Sequence, residues 1–279
     1  RSTMSRKPLD RRALFASGAA AALLAAAGVS AGPLPQRGGS LRLALSGAAR
    51  SDSWVQGDGL FMQVARQGLV FETLTEIAAD GTLRGELATG WTSGKDATVW
   101  MFDLRHSVSF HDGSPFTAAD VVHSLKGLGD VRALARDRVQ ITLRTGDPAL
   151  PFTLSRADFV IRPAHVPENG IGTGLYRVER FTPGQQLLAQ RVEGHWKDGQ
   201  AGWVDKVELV SIPSEAVRVQ AMAEYLVDGA DVVDAGLLSG FDDILVSRGQ
   251  AVSNRISMPA VSGRGVLDDL RAAQRWWGA

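Results

Sequence analysis

The side chains best suited to metal or acid–base chemistry are five histidines and two pairs of adjacent acids. They are His106, His111, His123, His165 and His195, with Asp242-Asp243 and Asp268-Asp269. The histidine spacings match no zinc or nickel ligand pattern. Neighbouring carboxylates on polar loops or at helix starts are usually solvated rather than paired for hydrolysis. We therefore expect surface or turn histidines, solvated acids and no metal site.

Motifs for covalent catalysis and nucleotide binding are not found in the sequence in their usual structural context. It contains no G-x-x-x-x-G-K phosphate loop, and its G-x-S-x-G match, at residues 28–32, falls at the end of an Ala- and Leu-rich run rather than in the strand and helix context of a hydrolase. It has no cysteine, which excludes thiolate catalysis, cysteine-bound zinc and disulfides. The Gly172-Thr173-Gly174 segment lacks the strand and helix context of a dinucleotide loop and is better explained as a chain crossing. We predict that the protein is not an enzyme, has no catalytic residues and uses no cofactor.

The clearest unit that could position a site is a strand, a turn and a helix between residues 98 and 125. Apolar residues alternate with polar ones across 98–105, which predicts a strand with one buried face. Asp112-Gly113 predicts a turn, because this pair readily adopts positive φ. A helix follows, with Thr117 as its predicted N-cap and Asp120 completing a capping box.

Further periodic segments lie on both sides of this unit. Strands are predicted at 41–45, 138–145, 175–181, 185–192, 204–212 and 230–233, and helices at 60–74 and from Ser214 to Leu226. A hairpin turn is predicted at 79–82, and a short helix followed by a strand at 152–160. The repeated order of strand, helix and strand predicts an α/β fold.

The composition is that of a globular protein with no strong charge preference. The 279 residues are 44% hydrophobic and 22% charged, and the formal net charge is +0. Five basic residues and one acid precede residue 31, so cleavage there would leave a chain of net charge −4. Nothing in this balance favours nucleic acid or an anionic membrane surface as a partner.

Residues 1–31 have the features of an export signal. Residues 1–3 precede the first methionine. They are either added residues or the product of an upstream start codon, and no element of the fold is predicted for them. A basic segment precedes an uncharged run rich in Ala and Leu, and Ala31 ends a small-residue cleavage site. Arg11 and Arg12 stand before that run, which indicates a twin-arginine signal, with a general secretory signal as the alternative. A membrane anchor is less favoured, because about 20 strongly apolar residues are needed to span.

Several blocks of the sequence resemble one known family. Residues 87–125 contain L-A, two residues, W, a strand ending F-x-L-R, and then F-H-D-G-x-P-F-T-A-x-D-V-x-x-S-L. Further matching blocks are GSLRLA at 39–44, FETLTE at 71–76, GTGLYRV at 172–178 and GHW at 194–196. Together they resemble the extracellular solute-binding proteins of family 5, which serve oligopeptide, dipeptide and nickel ABC importers. The resemblance covers residues 38–234.

The resemblance implies an α/β fold of the periplasmic binding protein-like class, type II, in its peptide-binding group. It implies a first lobe with an inserted subdomain, and a second ligand lobe that is largely missing. The expected divisions are a signal peptide at 1–31, a linker at 32–39, the first lobe at 40–75 and 165–250, the inserted subdomain at 76–164, and a tail at 251–279 that corresponds to the start of the second lobe.

The resemblance also implies where a solute would bind. In that family the loop after the first strand, here residues 46–59, lies at the ligand cleft, and we expect it to meet residues 170–176. The ligand-binding candidates are Ser53, Trp54, Gln56, Asp58, Thr173, Gly174 and Tyr176. Trp54 is explained equally well as cover for a local core.

Two functional hypotheses follow. The first is the periplasmic substrate-binding component of a peptide-type ABC transporter, which captures a small peptide or other small solute and delivers it to an inner-membrane permease. The second is a shortened, non-transport interaction protein or decayed remnant, which uses the exposed interlobe face to bind another protein or a second copy of itself. In both, we expect the apolar tail residues to pack onto the first lobe; they are Ile256, Met258, Val261, Val266, Leu267, Leu270, Trp276 and Trp277.

Overall fold

A computed structural model describes residues 37–78 and 82–241, which contain three β-sheets and four α-helices. The strands are β1 (Ser40–Leu45), β2 (Thr75–Ile77), β3 (Leu83–Gly85), β4 (Ala88–Ser93), β5 (Val99–Leu104), β6 (Asp130–Ala135), β7 (Arg138–Thr142), β8 (Tyr176–Thr182), β9 (Gln186–Arg191), β10 (Lys206–Ser211) and β11 (Gly229–Ala230). The helices are α1 (Leu60–Gln63), α2 (Ala118–Leu125), α3 (Leu150–Thr153) and α4 (Glu215–Ala223). A π-helical segment at Val64–Val70 continues α1, and 3-10 turns lie at Ala157–Phe159 and Ala235–Leu238.

The five-stranded sheet joins the first strand to the last third of the described chain. Its order is β11-β1-β10-β9-β8, with β1 parallel to both of its neighbours and the other pairs antiparallel. Leu41, Leu43 and Leu45 are buried on β1, and Leu43 lies opposite Leu209 of β10. The alternation read from the sequence is therefore confirmed for this strand, because its leucines line one core.

The four-stranded sheet is antiparallel, in the order β4-β5-β7-β6, and α2 contributes to its core. Trp100, Phe102 and Leu104 of β5 are buried on one face, as the period-two pattern predicts. The capping box of α2 is also confirmed: the Thr117 N–H and hydroxyl both donate to the Asp120 carboxylate, at 2.8 and 3.0 Å. Gly113 adopts a φ of 86°, as the predicted turn requires.

The helix predicted at 60–74 ends earlier and has a different form. Only Leu60–Gln63 is α-helical, and the chain continues as a π-helical segment that ends at Val70. The Phe71 N–H donates at 2.7 Å to the carbonyl of Arg66, five residues earlier in the chain. In an α-helix the acceptor would be the carbonyl four residues earlier. This wider turn places Arg66 and Gln67 among buried residues.

One strand was missed, and one further prediction needs correction. Strand β6 was not predicted, because only Val131 among its residues is buried and so no alternation is visible. The strand predicted at the end of 152–160 is absent from the described sheets. Instead the segment holds α3 and a 3-10 turn, and the Ile161 N–H donates to the Glu72 carbonyl at 2.8 Å.

The remaining predicted elements are present in the structure, although α4 ends at Ala223 rather than Leu226 and β11 is Gly229–Ala230 rather than 230–233. β8 and β9 form the expected antiparallel pair, and Ser214 caps α4 by accepting a hydrogen bond from the Val217 N–H. Residues 79–81 of the predicted hairpin turn lie outside the described residues, although β2 and β3 on either side pair antiparallel. The predicted signal at 1–31, most of the linker and the tail at 251–279 also lie outside them. None of the described helices has the length and apolar character needed to cross a membrane.

Candidate functional site

The segment Gly172-Thr173-Gly174 crosses the end of the π-helical segment just before β8 begins. The Gly174 N–H donates to the Val70 carbonyl at 2.8 Å. A Cβ on Gly172 would collide with the Val70 carbonyl oxygen, and one on Gly174 would collide with that of Leu69. The crossing is therefore this close only because both residues are glycine.

His111 ties the turn after β5 to this crossing. Its backbone N–H donates to the Gly172 carbonyl at 2.9 Å, and its Nδ1 accepts the Gly172 N–H at 3.3 Å. Its Nε2 lies 2.8 Å from the Gly174 carbonyl, so the network requires a neutral ring with its proton on Nε2. Burial lowers the pKa of His111 to about 4, although the Gly174 carbonyl opposes that shift.

His195 makes a similar contact from the other side of the crossing. Its Nε2 donates to the Thr173 carbonyl at 2.8 Å, and its Nδ1 accepts the Lys197 N–H at 3.0 Å. Burial lowers the pKa of His195, and the negative charge of Glu72 opposes that shift. The side chain is 6% exposed, so His195 is not a surface histidine, but it begins a turn in which the Asp198 N–H donates to its carbonyl at 2.9 Å.

The other histidines stand apart from this arrangement. His106 lies 3.2 Å from Asp137, and His165 lies 2.9 Å from Asp112, both at partly exposed positions. Across residues 37–78 and 82–241, no three His, Cys, Asp or Glu side chains are grouped in a way that could hold a metal ion. Both ring nitrogens of His111 and of His195 contact backbone groups, so these two imidazoles orient backbone.

A buried cluster of charges lies beside His195. The Lys197 Nζ is 2.6 Å from the Glu86 carboxylate, 2.9 Å from that of Glu76 and 3.8 Å from that of Glu72. All four side chains are almost completely buried, and Glu86 also accepts the Thr73 N–H at 2.8 Å. Because these residues come from the segments that link the two larger sheets, the cluster fixes those segments to each other.

Two arginines and a tryptophan extend this cluster toward the surface. The Trp196 Nε1 donates to the Glu72 carboxylate at 3.1 Å, and the Arg105 guanidinium stacks on the Trp196 ring at 3.8 Å. Arg84 pairs with Glu76 at 2.8 Å. Sequence reasoning missed the whole cluster. Glu72 and Glu76, which flank Leu74 in the segment at 71–76, were its one visible signal, since acids that become buried need partners.

The loop at 46–59 is anchored at its start and braced by a hydrogen bond within it. At its start the Ser46 N–H and hydroxyl donate to the Asp231 carboxylate at 2.8 and 2.6 Å, and Arg218 pairs with Asp231 at 3.2 Å. Further on, the Asp52 carboxylate accepts the Ala49 N–H at 2.7 Å. These contacts hold the loop against the five-stranded sheet.

Trp54 is the residue through which this loop meets the segment at 170–176. Its ring lies 5.9 Å from that of Phe71 and 4.8 Å from that of Phe181, and a Cβ on Gly170 would collide with it. Trp54 is 8% exposed and belongs to the core of the five-stranded sheet. This position favours the explanation of Trp54 as cover for a local core.

The other predicted ligand residues lie in two environments. Gln56 and Asp58 are exposed, and the half-buried Ser53 hydroxyl accepts the Gln56 N–H at 3.0 Å. Tyr176 and Thr173 are buried, and the Tyr176 hydroxyl donates to the Val204 carbonyl at 3.0 Å. Ligand binding by these residues stays a prediction.

A cleft of about 640 Å³ opens beside the glycine crossing. Its lining includes Thr173, Gly174, His111, His195, Arg177 and Glu179. The Thr173 Oγ1 is buried and makes no hydrogen bond within the described part of the chain. The structure therefore places Thr173 and Gly174 at this cleft, while Ser53, Gln56 and Asp58 lie on the loop at 46–59.

The model of the bacterial extracellular solute-binding proteins, family 5 Middle, matches residues 82–242. The match covers more than half of the chain, including the strand, turn and helix unit, the glycine crossing, and Glu86 and Lys197 of the buried charge cluster. It confirms the resemblance found in the sequence.

Two curated relatives and one solved structure show the extent of the similarity. The nickel-binding periplasmic protein of Escherichia coli K12 is 29% identical over 187 residues, covering 57% of this chain and 35% of the relative. The HTH-type transcriptional regulator SgrR of Salmonella typhimurium is 29% identical over 186 residues, covering 60% of this chain and 33% of the relative. The ABC transporter-associated periplasmic binding protein DppA of Helicobacter pylori, solved with peptide STSA, matches with a TM-score of 0.66 and 17% identity, covering 75% of this chain and 50% of that one.

These matches confirm the predicted fold class, a type II periplasmic binding protein-like α/β fold. The chain spans about a third of the length of the two curated relatives and half of the solved structure. The expected division at residues 76 and 164 stays a prediction. Consistent with it, the four-stranded sheet is built within residues 88–142 and the five-stranded sheet from segments outside them.

Proposed function

Because the chain belongs to family 5 of the bacterial extracellular solute-binding proteins, we propose that it acts as the extracytoplasmic binding component of an ABC importer. Members of this family are non-enzymatic binding components of transporters. The observation that carries the proposal is the family match over residues 82–242, which spans the glycine crossing and the segment that meets the loop at 46–59.

We infer that the solute is a small peptide, held without covalent chemistry where this loop meets residues 170–176. The exposed side chains of Gln56 and Asp58 suit hydrogen bonds to a peptide backbone. The Helicobacter pylori protein of the same fold was solved with a peptide, which supports this class of solute. Delivery would be to an inner-membrane permease.

We also infer a periplasmic location, reached through the signal at residues 1–31. The curated relative from Escherichia coli is described as periplasmic, which supports the location. Arg11 and Arg12 favour the twin-arginine route over the general secretory route.

Titration calorimetry of the chain with mixed dipeptides to pentapeptides tests peptide capture. We expect saturable heat at or below millimolar peptide, and weaker binding after the double change Gln56→Ala and Asp58→Ala. The change Arg132→Ala, at an exposed residue on β6 of the other large sheet, is the matched control and should leave binding unchanged. Absence of heat at millimolar concentrations of every peptide would refute autonomous capture.

The second hypothesis, a non-transport interaction protein, is supported by a different observation. Val217, Tyr225, Leu226 and Val233 are each about half exposed on or beside α4, and such apolar groupings are typical of contact surfaces. One relative is described as a transcriptional regulator rather than a transport protein. Sedimentation velocity distinguishes the hypotheses, because a stable dimer or mixed complex favours this second one and a monomer that binds peptide favours capture.

A further inference from the structure

Asn169 and Gly170 form an Asn-Gly pair, the dipeptide in which an asparagine side chain is chemically least stable. The main-chain nitrogen of the next residue can attack the asparagine side-chain amide, and a glycine there has no side chain to block the approach. The chain has two asparagines, and the other, Asn254, is followed by the bulky Arg255. Asn169 is therefore the position at which this reaction is expected.

The surroundings of Asn169 leave both reacting groups available. Asn169 is exposed and lies in an irregular segment between the 3-10 turn at Ala157–Phe159 and β8. Its side chain forms no hydrogen bond, and the Gly170 N–H donates none, within the part of the chain that the structure describes. Because no hydrogen bond holds either group, the amide is free to rotate toward the attacking nitrogen.

The main chain that follows Asn169 has little room. A Cβ on Gly170 would lie 2.6–2.8 Å from three atoms of the Trp54 ring, so the chain runs close against that ring. Before this point the Asn169 N–H donates to the Val166 carbonyl at 3.2 Å. After it, Gly172 is held in the glycine crossing by two hydrogen bonds. The short stretch between Asn169 and Gly172 is therefore held at both ends.

We propose that Asn169 is a site of spontaneous deamidation, and that the isoaspartate formed there loosens the packing of Gly170 against Trp54. The Gly170 nitrogen bonds to the Asn169 Cγ, and the amide nitrogen leaves as ammonia with the proton that the Gly170 nitrogen loses. The product is a five-membered succinimide. Water then adds to one of its two carbonyls and breaks the bond from that carbonyl to the ring nitrogen. Opening at one carbonyl gives aspartate and opening at the other gives isoaspartate.

Isoaspartate lengthens the main chain, because the chain then runs through the former side chain. It adds one C–C bond of about 1.5 Å between the turn that ends at Asn169 and the glycine crossing. Trp54 and Gly172 are buried, so the added length displaces Gly170 from the Trp54 ring or disturbs the hydrogen bonds of Gly172. The negative charge itself lies at an exposed position, where a substitution usually has little effect on stability.

Incubating the whole chain in mildly alkaline buffer tests the site without any ligand, so the result does not depend on the proposed function. Peptide mapping by mass spectrometry should show a gain of about 1 Da at Asn169, where OH replaces NH2. Electron-transfer fragmentation should identify isoaspartate among the products. Asn254 in the same samples is the internal control and should react at least about tenfold more slowly, because the Arg255 side chain hinders the attack.

Variants at Asn169 connect the reaction to the packing. The melting temperature of the parent should fall by several degrees as isoaspartate accumulates, whereas Asn169→Ala, which lacks the amide, should keep its melting temperature through the same incubation. Asn169→Gln serves if the alanine variant does not fold, since its longer side chain closes a ring less readily. Freshly prepared Asn169→Asp carries the charge without the added main-chain carbon and should melt like the fresh parent.

Each result decides one part of the inference. Deamidation at Asn169 no faster than at Asn254 would overturn the site. Isoaspartate at Asn169 with an unchanged melting curve would overturn its effect on the packing against Trp54. A fresh Asn169→Asp variant that melts as low as the incubated parent would overturn the role of the lengthened main chain and assign the loss to the charge.

Discussion

Replacing Lys197 with methionine removes the cation from the buried charge cluster while keeping a side chain of similar length. The Lys197 Nζ lies 2.6 Å from Glu86 and 2.9 Å from Glu76, with all three side chains almost completely buried. Breaking a buried pair by removing one partner costs about 3–5 kcal/mol, because a charge is left without compensation. Two lost hydrogen bonds to charged groups, at about 1.5–3 kcal/mol each, give a similar total.

The loss is large compared with the net stability of a protein. A free energy of unfolding of about 5–15 kcal/mol is usual, so Lys197→Met should remove about a fifth of it or more. For a chain of this size about 1 kcal/mol shifts the melting temperature by roughly 2–4 °C, which predicts a fall of about 6–20 °C. Urea unfolding followed by circular dichroism and scanning calorimetry measure the two quantities.

The ion pair between Arg138 and Asp103 provides a matched control. Its N–O distance is 2.6 Å, the same as between Lys197 and Glu86, but both side chains are about half exposed. Arg138→Met should therefore cost at most about 1 kcal/mol. Adding Glu86→Gln to Lys197→Met should recover part of the lost stability, since one uncompensated carboxylate disappears. A Lys197→Met variant no less stable than Arg138→Met would refute this account of the cluster.

Three further predictions concern other parts of the molecule. The folded pKa of His111, about 4, lies below its unfolded value, so its contribution to stability is complete above about pH 6.5 and falls by up to about 3 kcal/mol as the pH drops toward 4. Melting curves measured across that pH range should show the loss, and His111→Gln should make the melting temperature less dependent on pH. Gly172→Ala should lower the melting temperature by several degrees, because its methyl group meets the Val70 carbonyl, whereas Gly127→Ala, in open space, should not. Changing Arg11 and Arg12 together to Lys should leave unprocessed precursor in the cytoplasm on immunoblots of cell fractions, and normal maturation of that variant would indicate the general secretory route.

The parts of the fold that the sequence predicts are those fixed by neighbours along the chain. The capping box of α2 needs only Thr117 and Asp120, and the buried face of β5 follows from alternation alone. Strand β6 escapes prediction because a partly exposed edge with one buried residue has no periodic pattern. The π-helical segment is not predicted, because its hydrogen bonds span five residues instead of four. Apolar spacing over a single turn cannot reveal that difference.

The candidate site is predicted less well, because its contacts join residues far apart in sequence. The sequence indicated the loop at 46–59 and the glycine crossing through the family resemblance, and the structure brings them together at Trp54 and Gly170. It gave no indication that Lys197 would reach Glu76 and Glu86, more than 100 residues away. Spacing rules describe one helix or strand at a time, so pairs of charges from separate segments lie beyond them.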